Sequence, residues 1–162
     1  MRVIELRNYT GDVMASLQPT LRKAGHRLEI GDGEPIKLET APSALWQIIS
    51  NLVMNSMLHA FDPDQHGVLR LDIDRVGDTA ILTYRDNGKG MPAEIRHRIF
   101  EPFFTTKRGQ GGSGLGLSIV YNLATQTLGG TIACETKPGA GTEFVIAIPI
   151  RGRKSGARTS AA

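Results

Sequence analysis

The stretch NLVMNSMLHAF, residues 51–61, places Asn51, Asn55 and His59 at four-residue intervals, and Gln47 extends the row by one turn. On a helix, residues four apart step about 40° around the axis. The row is therefore a slowly winding polar stripe, flanked by Leu45, Ile48, Ile49, Leu52, Met54 and Leu58. No Lys, Arg, Asp or Glu occurs from Ala41 to Phe61, whereas a solvated helix face usually carries charge. The stripe reads either as a mildly exposed face or as the wall of a pocket. In the second reading an Asn carbonyl is a neutral oxygen ligand, suited to a hard cation such as Mg2+. One such ligand suffices where triphosphate oxygens already hold the metal.

Three glycine-bearing segments follow. DNGKGM (86–91) sets Asp86, Gly88 and Gly90 as D-x-G-x-G at the end of an alternating stretch. It is either a simple turn or a place where ligand and backbone approach closely, with Asp86 accepting from an exocyclic amine such as adenine has. GQGGSGLGLSIV (109–120) runs Gly112, Gly114 and Gly116 into a helical pattern. Free amides at a helix start hold phosphate; the alternative is a flexible loop before a core helix. It is not a P-loop, because no Lys-Ser or Lys-Thr follows the last glycine. PGAGT (138–142) by itself is a hairpin turn.

The elements that must position these residues are legible in outline. A helix is expected over 8–25, bent or broken at Pro19, then short strands at 26–32 and 35–40, paired with each other. The strongest helix runs from Ser43 to Phe61, started by Pro42 and Ser43. Alternation at 67–75 and 79–86 around Val76, Gly77 and Asp78 predicts a hairpin. A short helix (92–100), an aperiodic stretch (101–114), a helix from Leu115 to Leu128 and a hairpin (129–136 with 141–149) complete the chain. Strands arriving in hairpins imply an α+β two-layer sandwich, with helices on one face of a mixed, mostly antiparallel sheet.

The chain has 162 residues, enough for one domain with its own core. A single cysteine, Cys134, excludes an internal disulfide and a multi-cysteine zinc site, and fits a reducing compartment. The uncharged run 41–61 is too polar for a comfortable membrane span, and with Arg2, Glu5 and Arg7 in the first ten residues no signal peptide is expected there. Nineteen basic and sixteen acidic side chains give a formal charge of +3, but Arg151, Arg153, Lys154 and Arg158 lie in the last twelve residues, leaving −1 over 1–150. The expected domain is thus 1–150, followed by a basic, disordered tail at 151–162, and nucleic-acid binding is not implied.

The succession N-x-x-x-N, D-x-G-x-G, F-x-x-F-F (100–104), G-x-G-L-G-L (112–117) and G-x-G-T (139–142) resembles the catalytic ATP-binding domain of sensor histidine kinases. That domain belongs to the superfamily of gyrase-type, heat-shock chaperone and mismatch-repair ATPases, and FEPFFTTK (100–107) with GLGLSIV (114–120) points to the kinase branch. The resemblance covers about residues 1–150 and implies the Bergerat-type ATP-binding fold, with ATP and Mg2+ as ligands.

It further implies a role for each matching position. Asn55 is the Mg2+ ligand and Asn51 faces the phosphates. His59 stands where the kinases place an aromatic residue against the nucleotide. Asp86 reads adenine, helped by Thr142 and a water, while Gly88 and Gly90 let the chain pass close to the base. Residues 89–113 form a mobile lid anchored by Phe100, Phe103 and Phe104. Lys107 meets the terminal phosphates, and the amides near Gly114, Leu115 and Gly116 contact the phosphate chain. Met91, Phe103, Gly112 and Leu117 complete the nucleotide-contacting set. One departure is Leu58, where many relatives carry Lys: either that phosphate contact is missing, or Lys107 or Arg108 replaces it.

Related ATPases have Glu at the position of Asn51. An amide has no useful basicity near pH 7 and cannot activate water, so the resemblance favours phosphoryl transfer, with Asn51, Asn55 and Lys107 carrying catalysis. The acceptor in such kinases is a histidine on a dimerising helix, usually followed by an acid. None of His26, His59, His66 and His97 has that setting. The chain is therefore expected to act on a separate dimerisation and phosphoacceptor domain, and through it on a response-regulator receiver domain. It is expected to be cytoplasmic and, by itself, monomeric. A hydrolysing ATPase and a non-catalytic nucleotide sensor are the rival readings.

Overall fold

The computed structural model describes residues 1–105 and 115–151. The chain runs β1 (Arg2–Glu5), α1 (Leu6–Lys23), β2 (Arg27–Ile30), β3 (Lys37–Thr40), α2 (Pro42–His59), β4 (Val68–Val76), β5 (Thr79–Asp86), α3 (Ala93–Arg96), α4 (Gly116–Asn122), β6 (Thr131–Thr136) and β7 (Thr142–Pro149). A π-helical turn, Leu123–Thr127, extends α4. Five strands form one sheet in the order β2-β4-β5-β7-β6, parallel between β2 and β4 and antiparallel elsewhere. This is the α+β sandwich with a mixed, mostly antiparallel sheet that the order of elements implies.

The sheet buries one face. Leu69, Leu71 and Ile73 of β4, Leu82 and Tyr84 of β5, and Phe144, Ile146 and Ile148 of β7 alternate inward. They meet Leu45, Ile48, Ile49, Leu52 and Val53 of α2 in a single core. Each such side chain contributes about 1.5–3 kcal/mol by leaving water. The opposite face carries charge, with Arg70 bridging Asp72 at 2.9 Å and Glu29 at 3.2 Å. The period-2 pattern thus places α2, with its polar stripe, directly over the ends of β4 and β5.

Four details depart from the sequence expectation. First, α1 is continuous through Pro19. Pro19 and Ala15, whose carbonyl it would otherwise bond, both lie on the exposed side, where water replaces the lost partner.

Second, β2 and β3 do not pair. β3 pairs antiparallel with β1, which the sequence reading left out, and β2 pairs parallel with β4. The reason is Arg7, whose guanidinium fills the bend between them. It donates to Gly31 O (3.0 Å), Glu34 O (2.7 Å) and Ile73 O, so the two stretches part around it. Glu5 fixes this arrangement. Its carboxylate caps α1 through the amides of Arg7 and Asn8 and also accepts from Ile36 N at 2.9 Å.

Third, the helix expected over 92–100 is regular only over α3. It continues as three-residue turns, Arg98 N to Ile95 O and Glu101 N to Arg98 O, and Ile95, Ile99 and Phe100 are the side chains that turn inward. Fourth, the helix expected to Leu128 widens to π geometry after Asn122.

Ile150 still belongs to the fold, donating to Asp78 O and accepting from Glu39 N. The basic tail expected at 151–162 lies almost wholly outside the described residues.

Candidate nucleotide site

The polar stripe of α2 passes from solvent into a cavity. Gln47 is exposed, whereas Asn51, Asn55 and His59 are half-buried. Asn55 and His59 form one wall of a cavity of about 270 Å3, near the lower end of small-molecule sites. The other walls are Lys89, Gly90, Met91 and Pro92 after β5, Ile95 and Ile99 around α3, Phe104 and Thr105, and Leu117 of α4. One side is thus neutral and polar, the other apolar. Among the described residues Lys89 is the cation in that lining, with Nζ 3.7 Å from Asp62 Oδ1. Lys107 and Arg108, the replacements considered for the Lys absent at Leu58, lie outside the described residues.

Asn51 does not line this cavity. It sits one turn away on α2 with its Nδ2 buried and without a hydrogen-bond partner. A buried donor of this kind costs stability unless something accepts from it. Asn55 offers a neutral carbonyl oxygen. No group of three His, Cys, Asp or Glu side chains gathers among the described residues, so a hard cation beside Asn55 would take its other ligands from a bound polyphosphate and water. An anionic ligand plus such a cation suits both asparagines.

Asp86 ends β5, is buried and is not in the lining of this cavity. Its Oδ2 accepts from Ser56 Oγ at 2.7 Å and its Oδ1 from Gly88 N at 3.0 Å. Ser56 immediately follows Asn55, so Asn55 and Asp86 address adjacent positions of the same helix. Burial pushes the Asp86 carboxyl above the usual carboxylate range, opposed by the hydrogen bonds from Ser56, Gly88 and the Thr142 backbone. Asp86 and Thr142 border a second hollow of about 340 Å3, with Thr136, Lys137 and Gly141.

The two glycines of D-x-G-x-G are required by contacts within the protein itself. A Cβ on Gly88 would lie 2.4 Å from Ala60 O, and one on Gly90 would lie 1.9 Å from Lys137 O. Of the three phenylalanines expected to anchor the lid, two are inward. Phe100 packs tilted against Tyr121 (5.3 Å) and edge-on to Phe144 (6.3 Å), and Phe104 lies under Arg98. Phe103 is 60% exposed, with φ 66°, and lies outside the cavity lining. Leu115 and Gly116 open α4, with Leu115 O accepting from Ile119 N. Lys107, Gly112 and Gly114 fall outside the described residues.

The sequence reading passed over Ser56, Tyr84 and Thr136. Ser56 follows the second Asn of N-x-x-x-N, and strand alternation puts Tyr84 and Asp86 on one face, toward α2. Thr136 Oγ1 accepts from Met91 N at 2.9 Å and donates to Gly141 O at 3.0 Å, pinning the segment after β5 to the final hairpin.

Residues 40–152 match the family model of the histidine kinase-, DNA gyrase B-, and HSP90-like ATPases. The chain belongs to this family. Among its members, it is 35% identical over 129 residues to the alginate biosynthesis sensor protein KinB of Pseudomonas aeruginosa, covering 80% of this chain and 21% of KinB. It is 37% identical over 119 residues to the sensor histidine kinase ZraS of Klebsiella oxytoca, covering 73% of this chain and 24% of ZraS. The chain thus spans less than a quarter of the length of these relatives. Among solved structures, the catalytic domain of histidine kinase ThkA superposes with a TM-score of 0.78 at 27% identity, covering 93% of this chain and 95% of that domain. The histidine-kinase branch of the family is therefore where this domain falls. No helix among the described residues is long and apolar enough to cross a membrane.

Proposed function

We propose that this domain binds Mg2+-ATP and transfers the γ-phosphate to a histidine on a separate dimerisation and phosphoacceptor domain. The observation that carries the proposal is the uncharged wall of α2, where Asn55 enters the cavity and Asn51 leaves a buried donor with no protein acceptor. Asp86 reads the adenine amine. Asn51 donates to phosphate oxygen, and Asn55 would hold Mg2+, which when bound would supply charge neutralisation on the phosphates. Lys107 and the amides from Gly112 through Leu117 complete the phosphate contacts. His59, Met91 and Leu117 shape the cavity around the nucleotide.

The transfer itself asks little covalent chemistry of this chain. The neutral imidazole nitrogen of the acceptor forms the new P–N bond as the bond from the γ-phosphorus to the bridging oxygen breaks, and ADP leaves with that electron pair. Asn51 cannot take a proton from water, so it orients the phosphates without promoting hydrolysis. A response-regulator receiver domain then takes the phosphoryl group. ThkA, whose catalytic domain this chain resembles, has been solved in complex with the response regulator TrrA.

Incubation with γ-labelled ATP tests this directly. The chain alone binds nucleotide and stays unlabelled. With a matching acceptor domain it yields phosphate that is lost in acid and kept in base, as phosphohistidine is. Acid-stable label, or rapid phosphate release by the isolated domain, contradicts the proposal. The asparagine roles separate by metal dependence. Asn55→Ala is expected to weaken ATP binding in Mg2+ about thirtyfold but Mg2+-free ADP binding less than about threefold, measured by calorimetry with and without chelator.

A further inference from the structure

Three side chains form a buried polar chain that the transfer chemistry does not use. Tyr84 is 1% exposed, Ser56 is 1% exposed and Asp86 is 8% exposed. Ser56 Oγ lies 2.7 Å from Asp86 Oδ2 and 2.7 Å from Tyr84 OH. With Asp86 ionised, the direction of this chain is fixed. An ionised carboxylate only accepts, so the single Ser56 proton goes to Asp86. Ser56 Oγ is then an acceptor, and the Tyr84 hydroxyl donates to it. The order is Tyr84 O–H to Ser56 O–H to Asp86.

We propose that Ser56 and Tyr84 are positioning residues that hold Asp86 as an acceptor-only carboxylate, and that this directed relay sets the preference for a 6-amino over a 6-oxo purine. The inference rests on the reading of Asp86 as the group that recognises the base. An ionised Asp86 accepts from an exocyclic amine and repels a carbonyl oxygen. A protonated Asp86 carries an O–H that donates to a 6-oxo group. Base preference and proton occupancy are therefore one property, and the Ser56 hydroxyl decides it by favouring the ionised form.

The surroundings make that decision delicate. Burial favours the neutral acid, while the donors from Ser56, Gly88 and Thr142 oppose it. The titratable groups that sense the Asp86 charge are Tyr84 on the same strand and Cys134 on β6. Burial holds both neutral, the Cys134 thiol being pushed up to about 12. Arg85, Glu135, Lys137 and Glu143 border the same hollow as Asp86, but burial and the donors from Ser56, Gly88 and Thr142 are what set its proton affinity, and of those donors Ser56 is the side chain.

The test measures affinity of the 162-residue chain for ATP and for inosine triphosphate, with Mg2+, from pH 5 to pH 8. The unaltered chain prefers ATP. In Ser56→Ala the ATP-to-inosine-triphosphate ratio shrinks about tenfold, and the pH below which ATP affinity falls moves upward. Tyr84→Phe keeps the ring and the Ser56 proton, and shrinks the ratio about threefold. Equal proportional losses for both nucleotides in both variants, or an unmoved pH midpoint in Ser56→Ala, overturn the relay and leave these groups a packing role. Asp86→Asn separates the two readings. If it abolishes the ratio while Ser56→Ala does not change it, only the relay fails. If Asp86→Asn leaves the ratio intact, the recognition role of Asp86 fails and the relay with it.

Discussion

Asp86→Asn lowers affinity for ATP about a hundredfold, while the thermal stability of the domain at pH 7 stays equal or rises. Both parts follow from the same hydrogen bonds. The amide retains one acceptor, which takes the Gly88 N–H now bonded to Asp86 Oδ1. Its NH2 faces Ser56 Oγ, and the relay can reverse, since the Ser56 and Tyr84 hydroxyls both rotate and each can donate or accept. No buried group is left without a partner. Toward the base, however, a donor now meets the donor of the adenine amine, and a charge-assisted bond is lost. A hundredfold is about 2.7 kcal/mol, within the range for hydrogen bonds to charged groups.

The stability side has a definite sign. Burial raises the folded-state pKa of Asp86. A carboxyl raised in this way contributes stability that is fully present below its unfolded value, about 4, and is lost as pH rises through the folded value. At pH 7 the ionised, desolvated group is a cost that the neutral amide avoids. Thermal melts of the two proteins should therefore converge, or cross in favour of Asp86, as pH falls from 7 toward 4. A variant melting far below the unaltered domain at pH 7 would show that the carboxylate is needed for folding rather than for the ligand.

What could be read from sequence sorts by the range of the interaction that decides it. The α2 stripe was legible because helix periodicity is local: Asn51, Asn55 and His59 follow from the spacing and from the absence of charge. The two hairpins were legible because their turns lie within a few residues. The partner of β2 was not, since the side chain that parts β2 from β3 is Arg7, twenty-four residues from the carbonyl of Gly31 that it holds. Strand β1 was missed for a related reason. Four residues leading straight into a helix carry no period of their own, and pairing with β3 is what makes them a strand.

The site shows the same division. That Asp86 is special is legible from D-x-G-x-G. That Ser56 and Tyr84 hold it is not, because the contact spans 30 residues and depends on β5 lying under α2. The glycines carry a requirement that the motif alone does not show. A glycine-rich motif beside a ligand site invites the inference that the ligand needs the space. Here the space beside Gly88 is taken by Ala60 O and that beside Gly90 by Lys137 O, both of them this chain's own backbone.

Gly90→Ala therefore destabilises the nucleotide-free domain by about 3 kcal/mol, lowering its melting temperature by roughly 10 °C. Two costs combine. Gly90 has φ +67°, so any Cβ there enters the left-handed region at about 1–2 kcal/mol. That Cβ would also stand 1.9 Å from Lys137 O and 3.0 Å from Gly141 O, and neither carbonyl can yield alone. Lys89 O accepts from Gly139 N at 2.7 Å and Met91 N donates to Thr136 Oγ1 at 2.9 Å, stitching both flanks of Gly90 to the β6–β7 turn. Relief requires breaking one of these bonds and moving Met91, a wall of the cavity. Gly139→Ala is the control. Gly139 has φ +78° but no atom within 4 Å of a built Cβ, so it carries the conformational cost alone, and its melting temperature falls by less than half as much. The comparison discriminates between the two accounts of the motif. If Gly90 made room for a base, the nucleotide-free melts of Gly90→Ala and Gly139→Ala would coincide, and only ATP affinity would separate them.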